Sequence, residues 1–156
     1  MEAFRGNHPA KVEDGGRLKL PSPFKALLDE AGVTQLYITS EDGLKAQIWP
    51  LPTWEKREAL LAEASTMDDA VESYLTVTSY YGQQVEMDKQ ARVTLPLILR
   101  ESANLDGQVA ILGKLHYLEV QNLKTLQESL PGKAITAERR QSLKVTLKPH
   151  SNNGSN

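Results

Sequence analysis

Two arginines, Arg17 and Arg92, each stand four residues after an acid, Glu13 and Asp88. A guanidinium at the end of a tight turn offers a planar fork of donors that fits a phosphate or the O6 and N7 edge of a guanine. The acid four residues earlier does not suit a phosphate, so its work is to fix the turn or orient the arginine. The competing reading of each pair is an ordinary surface salt bridge, which contributes little. Duplication separates the two readings. Leu18 and Leu20 flank Lys19 and precede Pro21, just as Val93 and Leu95 flank Thr94 and precede Pro96, and the copies keep a constant separation of 75 residues. An internal repeat of this kind decides how the whole chain is read.

The elements that must carry these turns follow from the local pattern. Residues 4–12 read as an extended segment, and Gly15 and Gly16 supply the positive φ that a sharp reversal needs before Arg17 runs out again. Asp88 to Ala91 is the corresponding turn in the second copy, with Ala91 where the first has glycine, an unfavourable choice by about 1 kcal/mol if φ is positive there. After Pro21 a helix is expected with Ser22 as its N-cap, Pro23 in its first turn and Gly32 at its end. Two short strands around residues 41–43 form a hairpin, Thr53 caps a helix carrying Trp54 and Leu61, and Val71, Tyr74, Leu75 and Thr78 mark another. The second half repeats the order with strands near Val109 and Val120, and Leu123, Leu126 and Leu130 lie on one face of its last helix. Ile48 matches Val120 at a separation of 72, so three residues are missing from the second copy, and the shorter hairpin loop is the expected place.

The chain has 156 residues, no cysteine and a net charge of −2, which excludes a disulfide framework and thiolate metal sites. The start lacks the basic and apolar regions of a signal peptide, and no stretch reaches the ~20 apolar residues of a membrane span, so a cytoplasmic protein is expected. Charge is segregated. Residues 4–20 carry four bases against two acids and residues 83–100 three against two, whereas residues 55–72 carry six acids against two bases. Residues 133–148 hold five bases against one acid. Catalysis has little support: His8, His116 and His150 are far apart, no phosphate-binding glycine loop is present, and His116 with Glu119 lacks a second histidine. No cofactor and no metal are expected, and Asp68 with Asp69 reads as a helix start.

Phe4-Arg5-Gly6, the paired turns, the Leu-Pro endings, Trp49-Pro-Leu-Pro-x-Trp54-Glu55 and Leu99-Arg100 together resemble the MraZ family of the swapped-hairpin AbrB superfamily, in register over roughly residues 4–130. The resemblance implies an α+β fold in which two tandem AbrB-like repeats form one pseudo-symmetric β-barrel core flanked by helices. It divides the chain into a first repeat (4–61), a connecting helix (62–78), a second repeat (79–130) and a basic C-terminal extension with a disordered tail (131–156). It further implies a nucleoid-associated, sequence-specific DNA-binding regulator, a repressor of a bacterial cell-division and cell-wall gene cluster. Such proteins assemble as rings on short repeated sites in double-stranded DNA upstream of their own operon.

Carried onto this chain, the DNA contacts are Arg17 and Arg92, flanked by Lys11, Lys19, Lys89 and Gln90; the turns are shaped by Glu13, Gly15, Gly16, Asp88 and Ala91. Arg5 and Arg100 are read as structural or as subunit contacts. From a different class, an oligomeric protein-interaction module without specific DNA binding remains open, its acidic 55–72 segment turned to the partner. An antitoxin-like autoregulator fits less well, because such chains carry one copy.

Overall fold

The two repeated phrases pair with each other. The computed structural model describes residues 3–64 and 67–149. In it β1 (Asn7–Val12) turns into β2 (Arg17–Lys19), β5 (Gln83–Glu86) turns into β6 (Arg92–Thr94), and β2 and β6 form an antiparallel ribbon. Arg17 lies opposite Thr94, Leu18 opposite Val93 and Lys19 opposite Arg92. Since Arg92 is the counterpart of Arg17 and Thr94 that of Lys19, a pseudo-twofold axis passes between Leu18 and Val93. The hydrogen bonds that end the ribbon obey it: Leu20 N donates to Ala91 O and Leu95 N to Gly16 O, both at 2.8 Å.

The remaining strands, β3 (Gln35–Thr39), β4 (Ala46–Pro50), β7 (Gly107–Gly113) and β8 (Leu118–Asn122), join the edge strands in one antiparallel sheet of order β1-β7-β8-β4-β3-β5. Exchanging the halves reverses that order into itself. The same axis runs through the central pair, where Gln47 faces Glu119, flanked by Ala46 opposite Val120 and Ile48 opposite Leu118.

The fold is therefore mixed α+β with an antiparallel sheet, and the expected closed barrel is not formed. Among the described residues no ladder joins β1 to β5, and the β2–β6 ribbon stands as a separate sheet. The reason lies in the turns. Beyond each edge strand the chain passes through a closed turn into the β2–β6 ribbon, so the two halves pair there and not between β1 and β5.

Proline places the helices. α1 (Ser22–Glu30), α2 (Leu51–Glu63) and α4 (Leu97–Ser102) begin directly after Pro21, Pro50 and Pro96, each of which serves as N-cap. Proline cannot donate to a ladder, while its carbonyl opens the helix: Pro21 O accepts from Phe24 N and Lys25 N. Ser22 and Thr53 are therefore within helices and not the caps expected of them. α3 (Asp69–Tyr80) is capped by the Asp68 side chain, which accepts from Ala70 N at 2.8 Å. Gly32, at φ +70°, follows the end of α1. Two of the three missing residues come out of the helical segment, because the registers set Tyr37 and Thr39 against Ala110 and Leu112, 73 apart; the third comes out of the later hairpin loop, as expected, since Gln47 and Glu119 are 72 apart.

Alternation along the strands makes two layers. Leu36, Ile38, Ile48, Val109, Ile111, Leu118 and Val120 turn to a core completed by Leu18, Val93, Leu95, Phe24 and Leu99. The opposite face carries Tyr37, Trp49 and Tyr117, with Trp54 of α2 stacked on Tyr37 at 4.7 Å and Trp49 on Tyr117 at 4.6 Å. The chain divides into two compact units, the first ending at Leu126 and the second beginning at Gln127. α5 (Leu123–Lys133) places buried Leu126 at the position matching Trp54, with Leu130 exposed. α6 (Ala137–Thr146), a helix not anticipated from the sequence, is capped by Thr136 and buries no residue. The tail expected to be disordered, 151–156, lies outside the described residues. No helix among them is long and apolar enough to cross a membrane.

Candidate nucleic-acid interface

The ribbon sorts its side chains by alternation. Leu18 and Val93 point into the core, so Arg17, Lys19, Arg92 and Thr94 share the outer face. Arg17 and Lys19 are exposed and Arg92 is half-buried. Lys89 and Gln90 sit exposed at the tip of the second turn. Lys11, exposed on β1, lines a shallow cleft with Lys19, His8 and Glu13 beside the N-terminus of α1. Thus three of the expected cations meet on one ribbon face, two polar residues cap one end of it, and Lys11 stands to the side. Thr94 was missed, although its place opposite Arg17 was legible in the matching alternation of Arg17-Leu18-Lys19 and Arg92-Val93-Thr94.

The two turns close with matching backbone hydrogen bonds, from Gly16 N to Glu13 O and from Ala91 N to Asp88 O, but by different chemistry. In the second, Asp88 behaves as a turn-forming carboxylate, accepting from Arg92 N at 2.9 Å and Gln90 N at 2.8 Å. The bond from Arg92 N, opposed by desolvation and helped by Gln90 N and the charges of Arg92 and Arg17, holds this carboxyl below the usual carboxylate range. Arg17 belongs to the first turn, so the two turns lie within electrostatic reach. Arg92 Nη1 also donates to Gln90 Oε1, which fixes the guanidinium over its own turn.

In the first turn Glu13 makes no capping side-chain bond, and the reversal is carried by Gly15 and Gly16 at φ +81° and +82°. Ala91 holds φ +63°, a left-handed conformation that costs a residue with a Cβ about 1 kcal/mol. Position 16 has no such freedom. A Cβ built there would lie 2.7 Å from Cδ and Cζ of Arg100, whose Nε donates to Leu95 O at 3.2 Å. Arg100 is thus a strut beneath the first turn. Its counterpart in the repeat is Lys25, which turns to Asp29 at 2.5 Å, so alanine replaces glycine in the turn whose opposite number to Arg100 is not an arginine.

Among the described residues, no ion pair within 4.0 Å involves Arg17, Lys19, Lys89 or Arg92; the pairs present are Lys25–Asp29, Arg57–Glu41 and Lys114–Glu119. Arginine and lysine donors on this face consequently point to solvent or, for Arg92, to an amide oxygen. No group of three or more His, Asp or Glu among the described residues is arranged to hold a metal. Glu119 is buried and accepts from Gln121 Nε2 at 2.7 Å, which makes it part of the sheet interior.

The fold and site define a duplicated α+β chain that presents paired basic turns on one ribbon. A family model described as "MraZ protein, putative antitoxin-like" matches residues 82–130. The chain is 49% identical to the transcriptional regulator MraZ of Acidobacterium capsulatum over 140 residues, which covers 90% of this chain and 96% of that protein. The protein of the same name from Koribacter versatilis is 43% identical over 136 residues (86% and 92%), and that from Acidithiobacillus ferrooxidans 30% over 122 (75% and 81%). The chain belongs to the MraZ family, which is one of transcriptional regulators and not of enzymes.

Proposed function

We propose that this chain is a sequence-specific DNA-binding repressor that reads repeated sites upstream of its own operon, a cell-division and cell-wall gene cluster, through the two turns. The observation that carries this reading is the β2–β6 ribbon, on which Arg17, Lys19 and Arg92 share one face and have no carboxylate partner within 4.0 Å among the described residues. Guanidinium forks on a two-stranded ribbon suit the major groove, where arginine recognises guanine bidentately; that of Arg92 is held by Gln90 and would exchange this bond for the base. Lys11, Lys19, Lys89 and Gln90 are assigned to phosphates, which strengthen binding without specifying sequence.

Within the same proposal, the exchange of ribbon partners between the two halves is the swapped-hairpin arrangement of the wider superfamily. One chain presents only two small turns, so useful affinity comes from several copies, assembled as a ring, engaging successive repeats.

The test is binding to a duplex taken from upstream of the protein's own gene, against a scrambled duplex, across a salt series. Wild type is expected to prefer the upstream duplex and to lose affinity steeply with salt, while Arg17→Ala/Arg92→Ala stays folded and loses the preference. A wild type without preference or salt dependence overturns the reading in favour of the interaction module.

A further inference from the structure

The tip of the β7–β8 hairpin carries a leucine where the repeat has glycine. In the register that sets Gln47 against Glu119, Leu115 is the counterpart of Gly43, 72 residues earlier. Both are left-handed, Gly43 at φ +73° and Leu115 at φ +69°. A Cβ makes that conformation unfavourable, so glycine suits it and leucine does not. The N-terminal segment pins the strained backbone, since Phe4 N donates to Leu115 O at 2.9 Å and Leu115 N to Phe4 O at 3.0 Å. Burial is not what the strain secures, because Leu115 stays 58% exposed. An outlier that gains no burial signals a use for the exposed side chain.

Leu115 lines an open cleft of about 420 Å³ between the hairpin tip and α2, within the roughly 300–1,000 Å³ of small-molecule sites. Buried Phe4 and Trp49 contribute its apolar floor, and Leu60 of α2, 69% exposed, is a second apolar lip. The charged lining is basic: Lys56, Arg57 and His116 contribute to it and no acid does. Lys56 has no ion pair within 4.0 Å among the described residues. Arg57 is set in place, its guanidinium over the rings of Trp49 and Tyr74 and its Nε bonded to Tyr74 OH. Its contact with Glu41 is long, 3.9 Å, and open to solvent, which leaves most of its charge unmatched. All these residues lie in the unit that ends at Leu126, and none is on the β2–β6 ribbon.

We infer that this cleft binds a small amphipathic organic anion, with a carboxylate or phosphate head on Lys56, Arg57 and His116 and a hydrocarbon body over Phe4 between Leu60 and Leu115. The head is anionic because the lining offers two cations and an imidazole with no acid beside them. The body is apolar because the floor and both lips are. This ligand is separate from the nucleic acid proposed for the ribbon, and its binding does not depend on that reading.

Calorimetric titration of the full chain with octyl phosphate and with octanoate, each below its micelle-forming concentration, tests the site. Saturable binding of one molecule per chain is expected for at least one probe, about tenfold or more tighter than for octanol, which lacks the charge, or inorganic phosphate, which lacks the body. The tighter probe shows which head the site takes. Lys56→Ala/His116→Ala is expected to weaken binding on the order of tenfold. Leu115→Gly should weaken it to a similar extent with far-UV circular dichroism unchanged, since glycine accepts the backbone at φ +69°. Octanol binding as tightly as octyl phosphate and octanoate overturns the inference, because the cleft is then an apolar crevice without an anion site. Wild-type affinity in both variants overturns it too, as does absence of saturation, the result expected if a second copy of the chain covers the cleft.

Discussion

Arg100 occupies the space that a side chain at Gly16 would need, with Cδ and Cζ 2.7 Å from the place of the missing Cβ. Arg100 is also bonded to Leu95 O, one of the residues that end the ribbon, so it cannot withdraw without loosening β6. Gly16→Ala is therefore expected to destabilise the fold by about 2 kcal/mol, combining overpacking with left-handed strain. Ala91→Gly relieves the strain at φ +63° but frees the unfolded chain, and a net change within about 1 kcal/mol is expected. Urea denaturation of the two variants measures the asymmetry; equal losses would show that the turns are interchangeable.

Asp88 makes the second turn sensitive to acid. Its carboxyl is held below its unfolded value by the hydrogen bonds from Arg92 N and Gln90 N, so its stabilising effect is complete above the ordinary carboxylate pKa and is lost as pH falls through the depressed one. The amide resonances of Gln90 and Arg92 should stay constant from neutral pH down through the ordinary carboxylate range and move only below it. Asp88→Asn keeps an acceptor but removes the titration, and its amides should show no such movement. An unchanged acid transition in that variant would assign it to another group.

Leu18 is fully buried on the pseudo-twofold axis, and its cross-strand neighbour Val93 shares the same core. Leu18→Ala is expected to cost about 2–5 kcal/mol, as for other buried leucines, and to loosen both turns at once because the ribbon holds them together. Hydrogen exchange at Leu20 and Leu95, whose amides end the ribbon, would report the coupling. Loss of protection at Leu20 alone would contradict it.

Arg57 is held by aromatic rings more than by charge. Its guanidinium lies 5.6 Å from the Trp49 ring and 5.0 Å from that of Tyr74, and its Nε donates to Tyr74 OH at 2.7 Å, while the Glu41 contact is 3.9 Å. Arg57→Lys should therefore fail to rescue Arg57→Ala, and both should lose about 1 kcal/mol in thermal unfolding. Glu41→Gln should change stability little. A larger loss in Glu41→Gln than in Arg57→Lys would make the ion pair the dominant contact.

The arginines could be read from sequence because their phrase recurs in register, and a pattern seen twice defines its own frame. Arg100 could not be read in the same way: its work is to fill space beneath Gly16, and packing between residues 84 positions apart leaves no local periodicity. The helix starts were misplaced because Ser22 and Thr53 are good caps in isolation, whereas here the preceding prolines end a strand and open a helix in one step. α6 escaped notice because its apolar residues lack the continuous stripe of a helix packed on its own core. The barrel was implied by the resemblance alone, and the pairing of β2 with β6 in a ribbon of their own joins segments 75 residues apart, which no local pattern announces.

The axis between Leu18 and Val93 relates two halves of one polypeptide, and this separates the molecule from a homodimer of half-length chains. In such a dimer every substitution appears twice, so a glycine with an arginine strut beneath it would be imposed on both turns. Fusion removes that constraint. Gly16 over Arg100, and Ala91 in the turn whose repeat position for that arginine holds Lys25, are independent solutions in one gene product, and each turn can drift toward its own preference while the shared ribbon keeps their spacing fixed.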